Sequence, residues 1–382
     1  MMIKIGNILF LLWLRLGILC VLINQYKYRS CIELKKKKKK YYTIVYAGLS
    51  FVRLSKWLLP LEFYNKLMER DKTNHCQSSI PPQVPWFLYY KGKRSNTQIF
   101  FNIINKERTW EIKNMPNKVV CTNSHGWMVM RNPNRNSSVC FLLNLATMEK
   151  IMLPPLKLKT WNYCILSSPP SDPTCIVAFF HLNRLTFWHL GEKIWREHKF
   201  DVEDDAMDYI VYCDGKFYCM NLNHDTIMEV TVLNDHTCEM KQLKVESPRW
   251  WYALGTMTFA SYLIESLGEI FLVTILFAGI FAGKIVEICV FKLDFKKLEW
   301  KRVKSLGDQR VFFLDCTISM SCSTSGLSGC IKENSIYFTR CGEVNLRSMY
   351  IYDMEEKTIT TCLVCPNTVH NVSQGQWIMP NI

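Results

Sequence analysis

The chain has 382 residues, 49 % of them apolar, and a formal net charge of +14, so a large buried core is within reach. Residues 1–60 hold twelve Lys and Arg against the single acid Glu33, a net +11, which leaves +3 for the other 322 residues. That excludes the broadly basic surface of a nucleic-acid-binding domain. The seventeen cysteines are odd in number, irregularly spaced and mostly set in apolar runs such as Val139-Cys140-Phe141, which points to a reducing compartment, cytoplasm or nucleus, rather than a disulfide framework.

The first element is an apolar stretch, residues 8–23, interrupted by Arg15. It is shorter than the roughly 20 apolar residues of a bilayer span and lacks a small-residue cleavage site. A run of six lysines follows, opened by Lys35 and closed by Lys40. Such a block is solvated and extended, and beside an apolar segment it suits an anionic membrane surface. The alternative localisation is therefore membrane association through residues 8–23. Residues 54–70 suit a short helix, and the rest of 1–80 is irregular. The Pro-rich stretch from Ser78 to Pro85 reads as a linker, which puts the domain boundary between residues 1–80 and 81–382.

From Val84 onward short runs of β-branched, aromatic and aliphatic residues alternate with turn signals. One unit recurs: a strand ends in Asn or Asp, a polar turn follows, and a second strand opens on a large apolar residue. It runs from Asn144 to Ile151, Asn221 to Ile227, Asp294 to Trp300 and Asp353 to Ile359, with a looser copy from Asn102 to Trp110. Asn or Asp bonds its own backbone and reverses the chain, and the near-constant offset reads as one connection reused. A second hairpin signal precedes several copies. Asp214-Gly215 favours a type I′ turn, and Leu267-Gly268 and Glu333-Asn334 hold similar places. Two alternating hairpins give four antiparallel strands, a propeller blade. The expected fold is all-β, a propeller of six or seven four-stranded blades, with one degraded blade around Leu185-Thr186-Phe187-Trp188. The apolar run 270–283 is too short for a membrane span and reads as a buried inner strand with its connection.

Several stretches resemble one plant family, the KIB-type β-propellers. Ser124-His125-Gly126-Trp127-Met128-Val129 resembles its early strand. Cys140-Phe141-Leu142-Leu143-Asn144 with Ile151-Met152-Leu153-Pro154-Pro155 resembles a family hairpin, and Gly329-Cys330 through Asn334-Ser335-Ile336-Tyr337-Phe338 a late strand. Val84-Pro85-Trp86-Phe87, Tyr350-Ile351-Tyr352-Asp353 and Trp377-Ile378-Met379-Pro380 also fit. The resemblance implies a non-enzymatic module that recruits a protein target, the substrate-recruiting part of F-box proteins of cullin-type ubiquitin ligases, and so a Skp1-type adaptor as a second partner. Residues 1–80 carry no clear F-box; Trp57-Leu58-Leu59-Pro60-Leu61 is a faint echo. The alternatives are a membrane-tethered adaptor and a truncated paralogue without ligase function.

The chemistry of the remaining motifs is sparse. Cys362 and Cys365 have C-x-x-C spacing, but Cys316, Cys322 and Cys330 do not supply a matching second pair, so no metal is expected. His125 and His181 lack the partners of an acid–base set and read as turn or core residues. No serine sits in a nucleophile elbow, and the Ser/Gly stretch from Ser323 to Gly329 lacks the lysine of a phosphate loop. The acids Asp201, Glu203, Asp204, Asp205 and Asp208 lack the spacing of a calcium loop. No catalytic residue and no cofactor are expected. Arg249, Trp250, Trp251 and Tyr252 are of the types enriched at binding hot spots, and this segment is the expected partner-binding loop.

Overall fold

The computed structural model describes residues 85–379, apart from 91–97, 104–108, 113–118, 132–138, 157–162, 182, 201–206, 222–224, 234–236, 248–256, 280–282, 316–317, 326–330, 341–347 and 364–374. The apolar stretch 8–23, the lysine run, the helix expected at 54–70 and the segment 249–252 lie outside the described residues.

The described chain is a six-bladed β-propeller with no helix. Blade I joins both ends of the domain: β1 (Trp86–Tyr90), β2 (Gln98–Asn102) and β3 (Thr109–Ile112) follow one another outward, and the innermost strand is β25 (Gly375–Ile378), from the C-terminal end. Blade II runs outward through β4 (Val119–Ser124), β5 (Trp127–Arg131), β6 (Cys140–Asn144) and β7 (Lys150–Met152). Blade III holds β8 (Tyr163–Leu166), β9 (Ile176–His181), β10 (Arg184–His189) and β11 (Arg196–Lys199). The blade expected around Leu185 to Trp188 is this one. Blade IV holds β12 (Met207–Cys213), β13 (Lys216–Asn221), β14 (Thr226–Val232) and β15 (Cys238–Lys244). Blade V holds β16 (Met257–Ser266), β17 (Glu269–Ala278), β18 (Ile285–Asp294) and β19 (Glu299–Arg302).

Blade VI departs from four strands. Its order is β21 (Ser319–Ser323), β20 (Arg310–Leu314), β22 (Ser335–Phe338), β23 (Ser348–Asp353) and β24 (Ile359–Leu363). β20 pairs antiparallel with β21 and parallel with β22. Asn334 therefore does not close the two-residue hairpin its place suggested. It sits at φ 51° where the chain enters β22, donating its N–H to the Arg310 carbonyl at 2.8 Å and accepting the Leu306 N–H at 2.8 Å on Oδ1.

Burial explains the continuous apolar runs. Each blade is covered on both faces, and successive residues of a strand face opposite neighbours. In β17, Ile270, Leu272 and Leu276 pack toward blade IV, while Phe271, Val273, Ile275 and Phe277 pack toward blade VI. Residues 270–278 of the run expected to hold a buried inner strand thus lie in the second strand from the axis. Six hydrophobic clusters fill the six gaps between blades, so the ring is closed. At the seam, Trp377 of β25 lies edge-on to Phe87, centroids 4.8 Å apart, and 4.9 Å from Phe313 of blade VI.

The Asn/Asp signal splits into two classes. Asn144, Asp294 and Asp353 end the third strands of blades II, V and VI's outer part. Each accepts two N–H groups on Oδ1, from residues two and three further on, at 2.8–3.1 Å. The fourth residue on, Met148, Leu298 or Lys357, takes positive φ. Asn102 ends the third strand of blade I, the same place. Asn221 does not: it ends the second strand of blade IV, and its Oδ1 accepts from Asp225 and Thr226, both at 3.2 Å. The shared signal reflects Asx-turn chemistry, not one position in the blade.

Candidate functional site

The innermost strands surround a cavity of about 840 Å³ on the propeller axis. β4, β8, β12, β16 and β21 line it, together with Met379 beyond β25. These strands keep an apolar set for the gaps between blades, as Val211 and Cys213 do in β12. The lining also includes Ser167, Ser261, Ser319 and Ser321, and Tyr163, Tyr209, Tyr212 and Tyr262, whose side chains pack against the inter-blade clusters as well. Tyr163 and Tyr209, from neighbouring blades, have ring centroids 6.4 Å apart.

The cavity reaches three tight turns that join first to second strands. Their central pairs are His125-Gly126, Asp214-Gly215 and Leu267-Gly268, with φ of 51° and 75°, 47° and 81°, and 53° and 74°. Positive φ at both positions is the type I′ geometry that suits the twist of two-residue hairpins. The stretch from Ser124 to Val129 is therefore a turn followed by β5, not one strand.

Burial lowers the pKa of the His125 imidazole, opposed by its hydrogen bond to the Ser167 backbone. Asp214 and Glu265 converge on the neighbouring turn. The Gly268 N–H donates to Glu265 Oε1 at 2.9 Å, and a Cβ placed on Gly268 would stand 3.6 Å from Asp214 Oδ1. Burial, and then the fields of these two carboxylates, push the Cys213 thiol up to about 12. Arg310, also on the cavity wall, is committed elsewhere: it pairs with Glu269 at 2.7 Å and donates to the Leu306 carbonyl at 3.1 Å.

Of the other residues singled out in the sequence, His181 ends β9, and burial followed by Arg184 lowers its pKa. Cys322 is buried beside the cavity, and burial pushes its thiol up to about 11. Cys362 lies within the edge strand β24, while Cys316, Cys330 and Cys365 lie outside the described residues, as do Asp201 to Asp205. Asp208 lies within β12. Among the described residues no group of three or more His, Cys, Asp or Glu could hold a metal ion, and no helix is long and apolar enough to cross a membrane. The segment 249–252 falls in the connection from β15 to β16. The Asp214 and Glu265 pair escaped the sequence reading, because 51 residues separate two ordinary acids and only blade packing brings them together.

A sequence profile of the KIB1-4 β-propeller matches residues 100–357. The chain belongs to the KIB1-4 β-propeller family. The match spans most of the propeller, from β2 into the turn before β24. Three Arabidopsis thaliana proteins are similar to this KIB1-4 propeller chain over most of their length. One F-box protein is 22 % identical over 358 residues, covering 90 % of each chain. A probable F-box protein is 24 % identical over 307 residues, covering 67 % of this chain and 73 % of its own. A further F-box protein is 21 % identical over 349 residues, covering 81 % of this chain and 87 % of its own.

Proposed function

We propose that this propeller is a protein-recognition module without catalytic chemistry, the part of an F-box-type ubiquitin-ligase subunit that holds the target. The observation that carries the reading is the family match together with relatives that are named F-box proteins. The first relative covers 90 % of this chain, more than residues 81–382 supply, so the matched stretch includes part of residues 1–80. That supports a divergent adaptor-docking segment there. The boundary at about residue 80 rests on the Pro-rich stretch that follows Ser78, and a place in the cytoplasm or nucleus on the odd, irregularly spaced cysteines. The cavity suits recognition better than reaction. Its cysteines Cys213 and Cys322 are held protonated by burial, and a thiol rather than a thiolate is a poor nucleophile. Residues 249–252, with Arg249, Trp250, Trp251 and Tyr252, are proposed as a second contact segment.

The test is co-purification of the full chain from plant extract with a Skp1-type adaptor. Recovery of the adaptor in stoichiometric amount, lost when residues 1–80 are deleted, is expected. A full chain that captures a target but no adaptor overturns the ligase part of the reading.

A further inference from the structure

Several acids of the blades are held in ion pairs. Glu229 pairs with Lys216 at 2.8 Å, Glu269 with Lys292 at 3.0 Å and Arg310 at 2.7 Å, and Asp294 with Lys301 at 2.5 Å. Asp214 and Glu265 are among the acids that are not. They flank one turn from two different blades, and neither takes part in an ion pair among the described residues. A cation placed beside both carboxylates gains from each. Beside them stands Leu267, 75 % exposed. It occupies the first position of a type I′ turn at φ 53°, a left-handed conformation that leucine rarely adopts. The equivalent positions carry His125 and Asp214, whose side chains tolerate it better. A strained, exposed leucine at the mouth of a cavity is costly to the fold, and such strain concentrates at binding sites.

We propose that the mouth of the axial cavity at Asp214, Glu265 and Leu267 binds a target segment in which a lysine or arginine adjoins an apolar residue. The basic side chain lies between the two carboxylates, and the apolar residue covers Leu267. The proposal rests on the protein-recognition reading and names the chemistry of its partner. Arg310 is turned to Glu269, which it shares with Lys292, so part of its charge is offset there. His125, also on the lining, adds little positive charge at neutral pH, since burial lowers its pKa.

The experiment is selection of a phage-displayed library of short random peptides on the full chain. The selected peptides are then titrated against the wild type, a D214N/E265Q double variant and Leu267→Asn. Asparagine suits the turn at both positions, and glutamine keeps the oxygen that accepts the Gly268 N–H, so all variants retain the fold. The expected result is enrichment of a Lys or Arg next to an apolar residue. Binding should weaken about tenfold or more in the double variant and should weaken in Leu267→Asn while its thermal midpoint rises. Peptides bound equally by wild type and double variant, or lacking a basic residue, overturn this proposal and leave the recognition reading standing. No enrichment of any peptide overturns this proposal too. If the full chain then also captures no protein from extract, the recognition reading falls with it.

Discussion

Gly375 opens β25 with its Cα face against Phe87, and a Cβ there would meet the ring at 1.9 Å. Phe87 is fully buried edge-on to Trp377 in the cluster between blades I and VI, so the ring has little room to move. Gly375→Ala is expected to destabilise the propeller by about 1–3 kcal/mol, the usual cost of overpacking, read as a lower urea midpoint. Leu267→Asn works in the opposite direction. Relief of the left-handed strain should stabilise by about 1 kcal/mol, checked by the same titration. Asp294 offers a pH test. Its hydrogen bond from Lys301, with those from the Lys297 and Lys296 backbone, holds its carboxyl at about 2. A carboxylate whose folded pKa is depressed adds stability above its unfolded value near 4, and that stability is lost as pH falls from about 4 through 2. The thermal midpoint of wild type should exceed that of Asp294→Asn at pH 5, and the gap should close toward pH 2. A constant gap would mean that the turn, not the charge, carries the effect.

Among the elements, the recurring Asx turn and the type I′ hairpin behave as local rules. Asn144, Asp294 and Asp353 each satisfy two backbone N–H groups that would otherwise stand open at a strand end, which fixes where the chain reverses. Asn144→Ala should cost about 1 kcal/mol, measured by chemical denaturation. The same logic misplaced Asn221, because an Asx turn reports a reversal without saying which two strands it joins. It also misread Asn334. There β21 lies between β20 and the axis, so the chain reaches β22 by passing the start of β20, and the local Asn serves a parallel crossover. No residue near Asn334 announces that an extra strand has been inserted some fifteen residues earlier.

The whole ring depends on one short strand. β25 pairs with β1 and is held from both neighbouring blades. The Trp377 N–H donates to Asp315 Oδ2 at 2.8 Å and its indole N–H to the Leu314 carbonyl at 3.0 Å. On the other side, the Met379 N–H donates to Asn123 Oδ1 at 2.7 Å. Removal of residues 375–382 takes away a fully buried Trp and opens the gap between blades I and VI. The shortened chain is expected to lose its single sharp melting transition, followed by near-ultraviolet circular dichroism. An unchanged transition would show that the ring closes without this strand. Conversely, we propose that residues 81–382 fold alone, and a helix-dominated far-ultraviolet spectrum of that fragment would refute it.

What the sequence by itself determined is the local grammar. Apolar runs such as 270–277 must be covered on both faces, Asp214-Gly215 must turn tightly, and Asn144 and Asp294 must reverse the chain, because each depends on a residue's own bonds and its next few neighbours. The propeller class followed from repetition of that grammar, and the family from the order of its motifs. Tertiary structure alone decided the count of six blades, the fifth strand of blade VI, the closure of blade I by Trp377 and the meeting of Asp214 with Glu265. These depend on contacts between residues tens to hundreds of positions apart. Their energy comes from packing and charge across blade gaps, which leaves no mark within any one stretch of sequence.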